Sequence, residues 1–139
     1  MTAWIGLLLG VVAAVVLGLL WQRGQGLRRG SGERIRPAEV ALPGDAYGRR
    51  GTLLLFTSPQ DVQRDRARAV LAHAAAERPG IAVAEVDLGA RGDLAGRYAV
   101  TLTPTVFVLD GDGRLRARLK GLPTPTTLTE ALARTAPPT

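Results

Sequence analysis

Three hydrophobic patterns divide the chain. From Trp4 to Trp21, W-I-G-L-L-L-G-V-V-A-A-V-V-L-G-L-L-W, apolar residues and glycines run on without a charge. At 1.5 Å rise per residue the run is about as long as a hydrocarbon core is thick, which predicts a transmembrane helix over residues 1–22. The second pattern is of short apolar runs bounded by glycine, proline and polar clusters. Leu53 to Phe56 is too short for a helix and suits a strand buried on both faces. Ile81 to Leu88 is rich in β-branched residues and reads as the next strand, while Val106 to Asp110 and Arg114 to Lys120 flank the hairpin signal Asp110-Gly111-Asp112-Gly113. The third pattern has helical spacing. Val62, Ala67, Val70, Leu71 and Ala74 lie on a helix from Pro59 to Arg78, Leu94 to Tyr98 follows Asp93 as a cap, and a terminal helix follows the capping box Thr127-Leu128-Thr129-Glu130.

A strand, a helix and a second strand in this order form a parallel unit, right-handed by default. Its first junction draws notice. Ser58 reads as an N-cap, Pro59 as the first helical residue and Asp61 as a near capping-box partner, so that Gln60, Asp61, Val62 and Gln63 open the helix. Helix starts at the ends of sheet strands expose N–H groups and are where sites are built. Upstream, Gln22 to Ser31 reads as a flexible basic tether, and Ile35 to Leu42 permits at most one short edge strand because of Pro37. The resulting division is an anchor over 1–22, a basic and Pro/Gly-containing linker over 23–50, a folded domain over 51–135 and a tail over 136–139.

Composition narrows the chemistry. There is no cysteine, which excludes disulfides, thiolate nucleophiles and cysteine-ligated metals. His73 is the one histidine and leaves no second imidazole for a metal site. Formal net charge is +6, with seven arginines against three acids in residues 1–50. Arg23, Arg28, Arg29, Arg34 and Arg36 follow the apolar run and no Lys or Arg precedes it, which places the domain on the cytoplasmic side of a cell membrane. A secretory signal peptide would have the charge before the run and a small-x-small site after it, where Trp21-Gln22-Arg23 stands. No aromatic residue interleaves the basic tether, so lipid rather than nucleic acid is its expected partner. In the last strand Arg114, Arg116, Arg118 and Lys120 alternate with Leu115, Ala117 and Leu119, which predicts one buried face and one basic face guarding a sheet edge. The Asp-Gly repeat lacks the further oxygen ligands of a calcium loop, and Asp61, Asp87 and Asp93 show no pairing of the kind acid–base catalysis needs. No metal or other cofactor is implied.

With the order strand, junction, helix, strand, short helix, then Val100-Thr101-Leu102-Thr103-Pro104-Thr105 and a glycine-turn hairpin, the chain resembles the thioredoxin family from about Leu53 to Ala133. The resemblance implies an α/β thioredoxin-like fold, a central mixed sheet flanked by helices, here preceded by one transmembrane helix. It puts Gln60 and Gln63 at the positions of the Cys-x-x-Cys pair, matches Arg64 to a basic residue common after that motif, and places Leu54 or Leu55 where the family carries a buried acid. It also implies a cis Thr103–Pro104 bond facing the junction, with the Thr103 backbone available to an extended chain.

Thiol–disulfide exchange requires a thiolate attacking sulfur, which glutamine cannot supply. The expected function is therefore a membrane-anchored, redox-inactive thioredoxin-like module with no catalytic residue, binding an extended protein segment at Gln60, Asp61, Val62, Gln63, Thr103 and Pro104. Two alternatives rest on the same scaffold. One is a cysteine-independent enzyme that uses Asp61, Asp87 or the helix start to bind glutathione or a small anion, with Ser58 or Thr57 as candidates by resemblance to glutathione transferases. The other is a KaiB-like partner-switching module.

Overall fold

The computed structural model describes residues 2–135; the tail over 136–139 lies outside the described residues. Helix α1, Thr2–Gly26, contains the apolar run. Its Thr2–Leu19 stretch is long and apolar enough to cross a membrane, a property shared by anchors and signal sequences. Trp4, Leu9 and Leu17 on it are exposed, a continuous apolar surface that is unfavourable in water.

Helix α1 passes directly into strand β1, Leu27–Arg29, so the stretch Gln22 to Ser31 is not a free tether. Strand β1 pairs antiparallel with a later strand, Leu27 facing Leu119 and Arg29 facing Ala117. The ladder continues as Gly30 N–H donates to the Arg116 carbonyl at 2.8 Å and Gly32 N–H to that of Leu115 at 2.9 Å. Nor is there an edge strand over Ile35 to Leu42. Arg34 makes a single bridge to Arg114, and Pro37–Val40 then forms a 3-10 turn. Proline at the start of a helical turn loses no hydrogen bond, whereas in a strand it breaks the ladder. The turn buries Val40.

The remaining strands are β2, Gly51–Thr57, β3, Ile81–Asp87, β4, Thr105–Asp110, and β5, Leu115–Lys120; the helices are α2, Arg64–Ala76, α3, Asp93–Arg97, and α4, Pro125–Ala133. The sheet order is β1-β5-β4-β2-β3, with β2 parallel to β3 and antiparallel to β4. Every residue of β2 is buried, as a central strand with both faces covered requires. Leu53, Leu55, Val106 and Val108 pack on one face with Ala67 and Leu71 of α2 and Leu128 and Ala131 of α4. On the other face Leu54, Phe56, Phe107 and Leu109 meet Leu94, Tyr98, Ile35 and Val40. Small alanines on α2 let that helix lie close to the sheet.

Strand β5 departs from the simple alternation. Leu109 pairs with Leu115 but Val108 with Ala117, so Arg116 is an extra residue, a bulge. The bulge sends Leu115 to one core and Ala117 and Leu119 to the other, splitting the expected single buried face. Because β1 covers it, β5 is an inner strand, and its arginines do not guard an edge. Arg116 Nε lies 2.7 Å from Asp110 Oδ2, and the Arg118 guanidinium stacks 4.5 Å from the Phe107 ring centroid. Helix α4 also starts earlier than expected. Its cap is Thr124, with Thr127 as the reciprocal third residue and Pro125 in the first turn. Asp93 is likewise inside α3, bonded to Arg91 rather than capping.

Candidate functional site

Strands β2 and β4 run in opposite directions with Phe56 beside Thr105, so the loop leaving β2 and the loop entering β4 meet at one end of the sheet. The Thr103–Pro104 peptide is cis. Ser58 Oγ and Thr103 Oγ1 are 3.2 Å apart and tie the two loops together. Thr105 Oγ1 donates to the Leu102 carbonyl at 2.7 Å, and Gly121 N–H donates to that of Pro104 at 2.8 Å, which fixes the loop on either side of Thr103. Among the described residues, the N–H and C=O of Thr103 itself make no hydrogen bond. They are an open donor and acceptor between two anchored neighbours.

Helix α2 begins at Arg64, five residues later than Ser58-Pro59 predicts. Ser58 is not the cap because its hydroxyl turns to Thr103. Asp61 then shapes the approach: its N–H donates to the Ser58 carbonyl at 3.1 Å, and its Oδ1 accepts from Gln63 N–H at 3.0 Å. Such Asx bonding competes with helix. Gln60, Asp61 and Val62 therefore lie on turns before the helix, and Gln63 is its uncapped N-cap residue. The helix dipole, confined to about one turn, does not act on residue 60 as it would at a helix start. Val62 is 97% exposed and Leu102 44% exposed, two apolar side chains left bare on the facing loops. Asp61 Oδ2 is buried and has no partner among the described residues.

Behind the loops stands a charged cluster. Glu85 of β3 accepts from Thr57 Oγ1 at 3.0 Å and lies 3.3 Å from Arg64 Nε and 2.8 Å from Arg68 Nη2. Burial pushes its carboxyl up, but hydrogen bonds from Arg68 and Thr57 and the two guanidinium charges outweigh this and hold it below the ordinary glutamate value. The cluster clamps the first two turns of α2 onto β3 through Arg64 and Arg68 and so positions the Gln60–Gln63 loop. Sequence reasoning missed Glu85 and Leu102, and it offered Thr57 only as a glutathione-site candidate, not as the partner of Glu85. The signal for Glu85 was present, since it is the one charge within Ile81 to Val86.

The other acids are not brought together. Asp87 Oδ1 accepts from Gly89 N–H at 2.8 Å and shapes a turn, and no group of three potential metal ligands occurs among the described residues. His73 is an exposed partner of Glu77.

A family model described as a thioredoxin-like domain matches residues 45–136. The chain belongs to the thioredoxin-like family. Solved members with similar structures include mitochondrial thioredoxin 3 of Saccharomyces cerevisiae in its oxidised form, 20% identical with a TM-score of 0.53 over 60% of this chain and 77% of that one. A mutant thioredoxin from Halobacterium salinarum is 21% identical, with a TM-score of 0.54 over 65% and 79% of the two chains. An uncharacterised thioredoxin-like protein from Clostridium perfringens is 22% identical, with a TM-score of 0.55 over 64% and 73%. At these identities the likeness is one of fold. No curated protein sequence matches the chain. This chain has no cysteine, and an apolar helix stands in front of its thioredoxin-like domain.

Proposed function

We propose that this thioredoxin-like protein is held in the membrane by α1, carries out no thiol–disulfide exchange, and binds an extended protein segment across the loops at Gln60–Gln63 and Leu102–Pro104. The observation that carries the reading is the open backbone of Thr103, whose N–H and C=O have no partner among the described residues while the exposed Val62 and Leu102 lie on the two loops it joins. An extended chain offers what these groups lack, a backbone donor and acceptor together with side chains to cover apolar surface. Redox inactivity rests on the chemistry of the sequence, which has no thiol to form the mixed disulfide. The arginines that follow α1 support a cytoplasmic domain.

The position of the loops favours a partner that is itself at the membrane. Strand β1 begins where α1 ends, and Pro104 adjoins β4, the second strand over, so the site lies two strand spacings, about 10 Å, from the end of the helix. The glutathione alternative gains no support. Thr57 is buried with its hydroxyl donated to Glu85, and the Ser58 hydroxyl is engaged with Thr103.

The test is a photoreactive benzoylphenylalanine placed at Val62, and in a second strain at Arg66 on the exposed flank of α2, in native membranes. Discrete protein adducts from position 62 and none from 66 are expected. Adducts to lipid only, or the same adducts from both positions, would end the segment-binding reading.

A further inference from the structure

The opposite end of the sheet carries a second feature. Five arginines from four segments line one cleft of about 990 Å³: Arg49 and Arg50 before β2, Arg78 after α2, Arg116 on the β5 bulge and Arg134 after α4. Asp110 is already occupied. Its Oδ2 meets Arg116, and its Oδ1 accepts from the N–H groups of Asp112 and Arg114. Arg49, Arg50, Arg78 and Arg134 make no ion pair among the described residues, and Asp112 is the one other acid in the lining. Arg78 and Arg134 each follow a helix C-terminus, where a cation is favourable in any case. Arg49 and Arg50 have no such explanation.

The floor beneath them is closely built. A Cβ at Gly80 would lie 2.7 Å from Arg50 Cγ, one at Gly111 would lie 2.5 Å from the Arg49 carbonyl oxygen, and one at Gly48 would lie 2.4 Å from that of Gly80. Three glycines thus let the Arg49-Arg50 backbone and the Arg50 stem settle against two neighbouring turns. Pro79, Ile81 and Leu132 give the same cleft an apolar wall.

We propose that this cleft binds a soluble anion bearing two or more phosphates beside an apolar group, of the chemical class of a nucleoside di- or triphosphate. Guanidinium forks match phosphate oxygens in pairs, and several uncompensated arginines around one cavity repel each other until a polyanion joins them. Membrane head groups are a less suitable source. The cleft lies at the far end of the strands from the entry of α1, and six residues of β5 span roughly 20 Å. The inference does not depend on the segment-binding reading of the other end.

The full chain in phosphatidylcholine nanodiscs, titrated calorimetrically with ATP and with AMP, tests it. ATP is expected to bind one saturable site, more tightly than AMP and more weakly as salt rises. Arg49→Ser/Arg50→Ser should weaken ATP at least about tenfold, Arg134→Ser on a separate element should weaken it as well, and Arg66→Ser should leave it unchanged. Absence of saturable binding, equal affinity for AMP, or an equal loss in Arg66→Ser overturns the proposal. Loss of ATP binding when the disc contains phosphatidylglycerol would show that lipid phosphate takes the cleft, and the soluble assignment would fall.

Discussion

The two ends of the sheet leave different things unsatisfied. At the end where α1 enters, among the described residues, the loops around Ser58 and Thr103 are joined by one side-chain hydrogen bond, the Thr103 backbone is unpaired, and Val62 and Leu102 are bare. At the other end backbone groups are well paired. The Asp110–Gly113 turn closes with Gly113 N–H on the Asp110 carbonyl at 3.0 Å, the Asp110 side chain takes three further bonds, and glycines bring three segments into contact. What remains open there is charge. A surplus of backbone and apolar groups calls for a polypeptide, and a surplus of guanidinium calls for an anion. The same fold can thus offer two unlike surfaces because unpaired groups of different chemistry are collected at opposite strand ends.

If the far end is the structurally invested one, breaking it should cost most. Asp110→Ala removes a buried carboxylate that accepts two N–H bonds and pairs with Arg116, and it is expected to destabilise the domain by about 2–4 kcal/mol, read by chemical denaturation of the full chain in detergent. Burial pushes the Asp110 carboxyl up, but the Arg114 N–H, the Arg116 side chain and the Asp112 N–H more than compensate and hold it below the ordinary value. A lowered folded-state value stabilises above the unfolded carboxylate value, about pH 4, and that contribution disappears as pH falls through the folded value. The gap between wild type and variant should therefore be full at pH 7 and shrink below about pH 4. A gap that stays constant with pH would mean that the carboxylate charge contributes nothing.

Much of this architecture can be read along the sequence, and the misreadings share a cause. Strands β2 to β4, the face of α2 from Ala67 onward and the face of α4 follow from local pattern, because each buries a regular set of side chains. Helix α2 starts late because Ser58 has a partner 45 residues away, which no local capping rule contains. Strand β1 is three residues long with two arginines, and backbone bonds from β5 rather than its own pattern make it a strand. The bulge at Arg116 is equally non-local, and it turned an expected edge face into an ion pair and an aromatic stack. At the proposed site, Gln60–Gln63 and Thr103-Pro104 are expected from the family's pattern and the cis bond is present, whereas Leu102 and Glu85 gain their places only through the sheet register.

The contrast between the two ends depends on β1, which sets where α1 meets the sheet. Gly30→Ala tests that join. A Cβ at Gly30 would lie 2.3 Å from the Leu115 carbonyl oxygen and 2.6 Å from the Arg116 carbonyl carbon, backbone atoms that cannot swing aside. Overpacking of this sort costs about 1–3 kcal/mol. Since the rest of the sheet does not need β1, the expected result is local: faster hydrogen exchange at Gly30, Gly32 and the amides of β5 facing them, with protection in β2 and β4 unchanged. Unaltered exchange at Gly32 would show that β1 is not held to β5 by this ladder.

The smallest effect is expected at the site end. Ser58→Ala deletes the bond to Thr103 in a loop that water can reach, so the Thr103 hydroxyl finds a new partner and the cost should be about 0.5–1.5 kcal/mol. A double-mutant cycle with Thr103→Ala should give a coupling below about 1 kcal/mol, because the pair is partly exposed and neither residue supports the core. Photocrosslinking from position 62 should nevertheless fall in Ser58→Ala, since the bond holds the two loops at the separation a bound segment would span. A large coupling with unchanged crosslinking would reverse the comparison: the Ser58–Thr103 bond would then be a fastening of the fold, and the open Thr103 backbone would lose its link to binding.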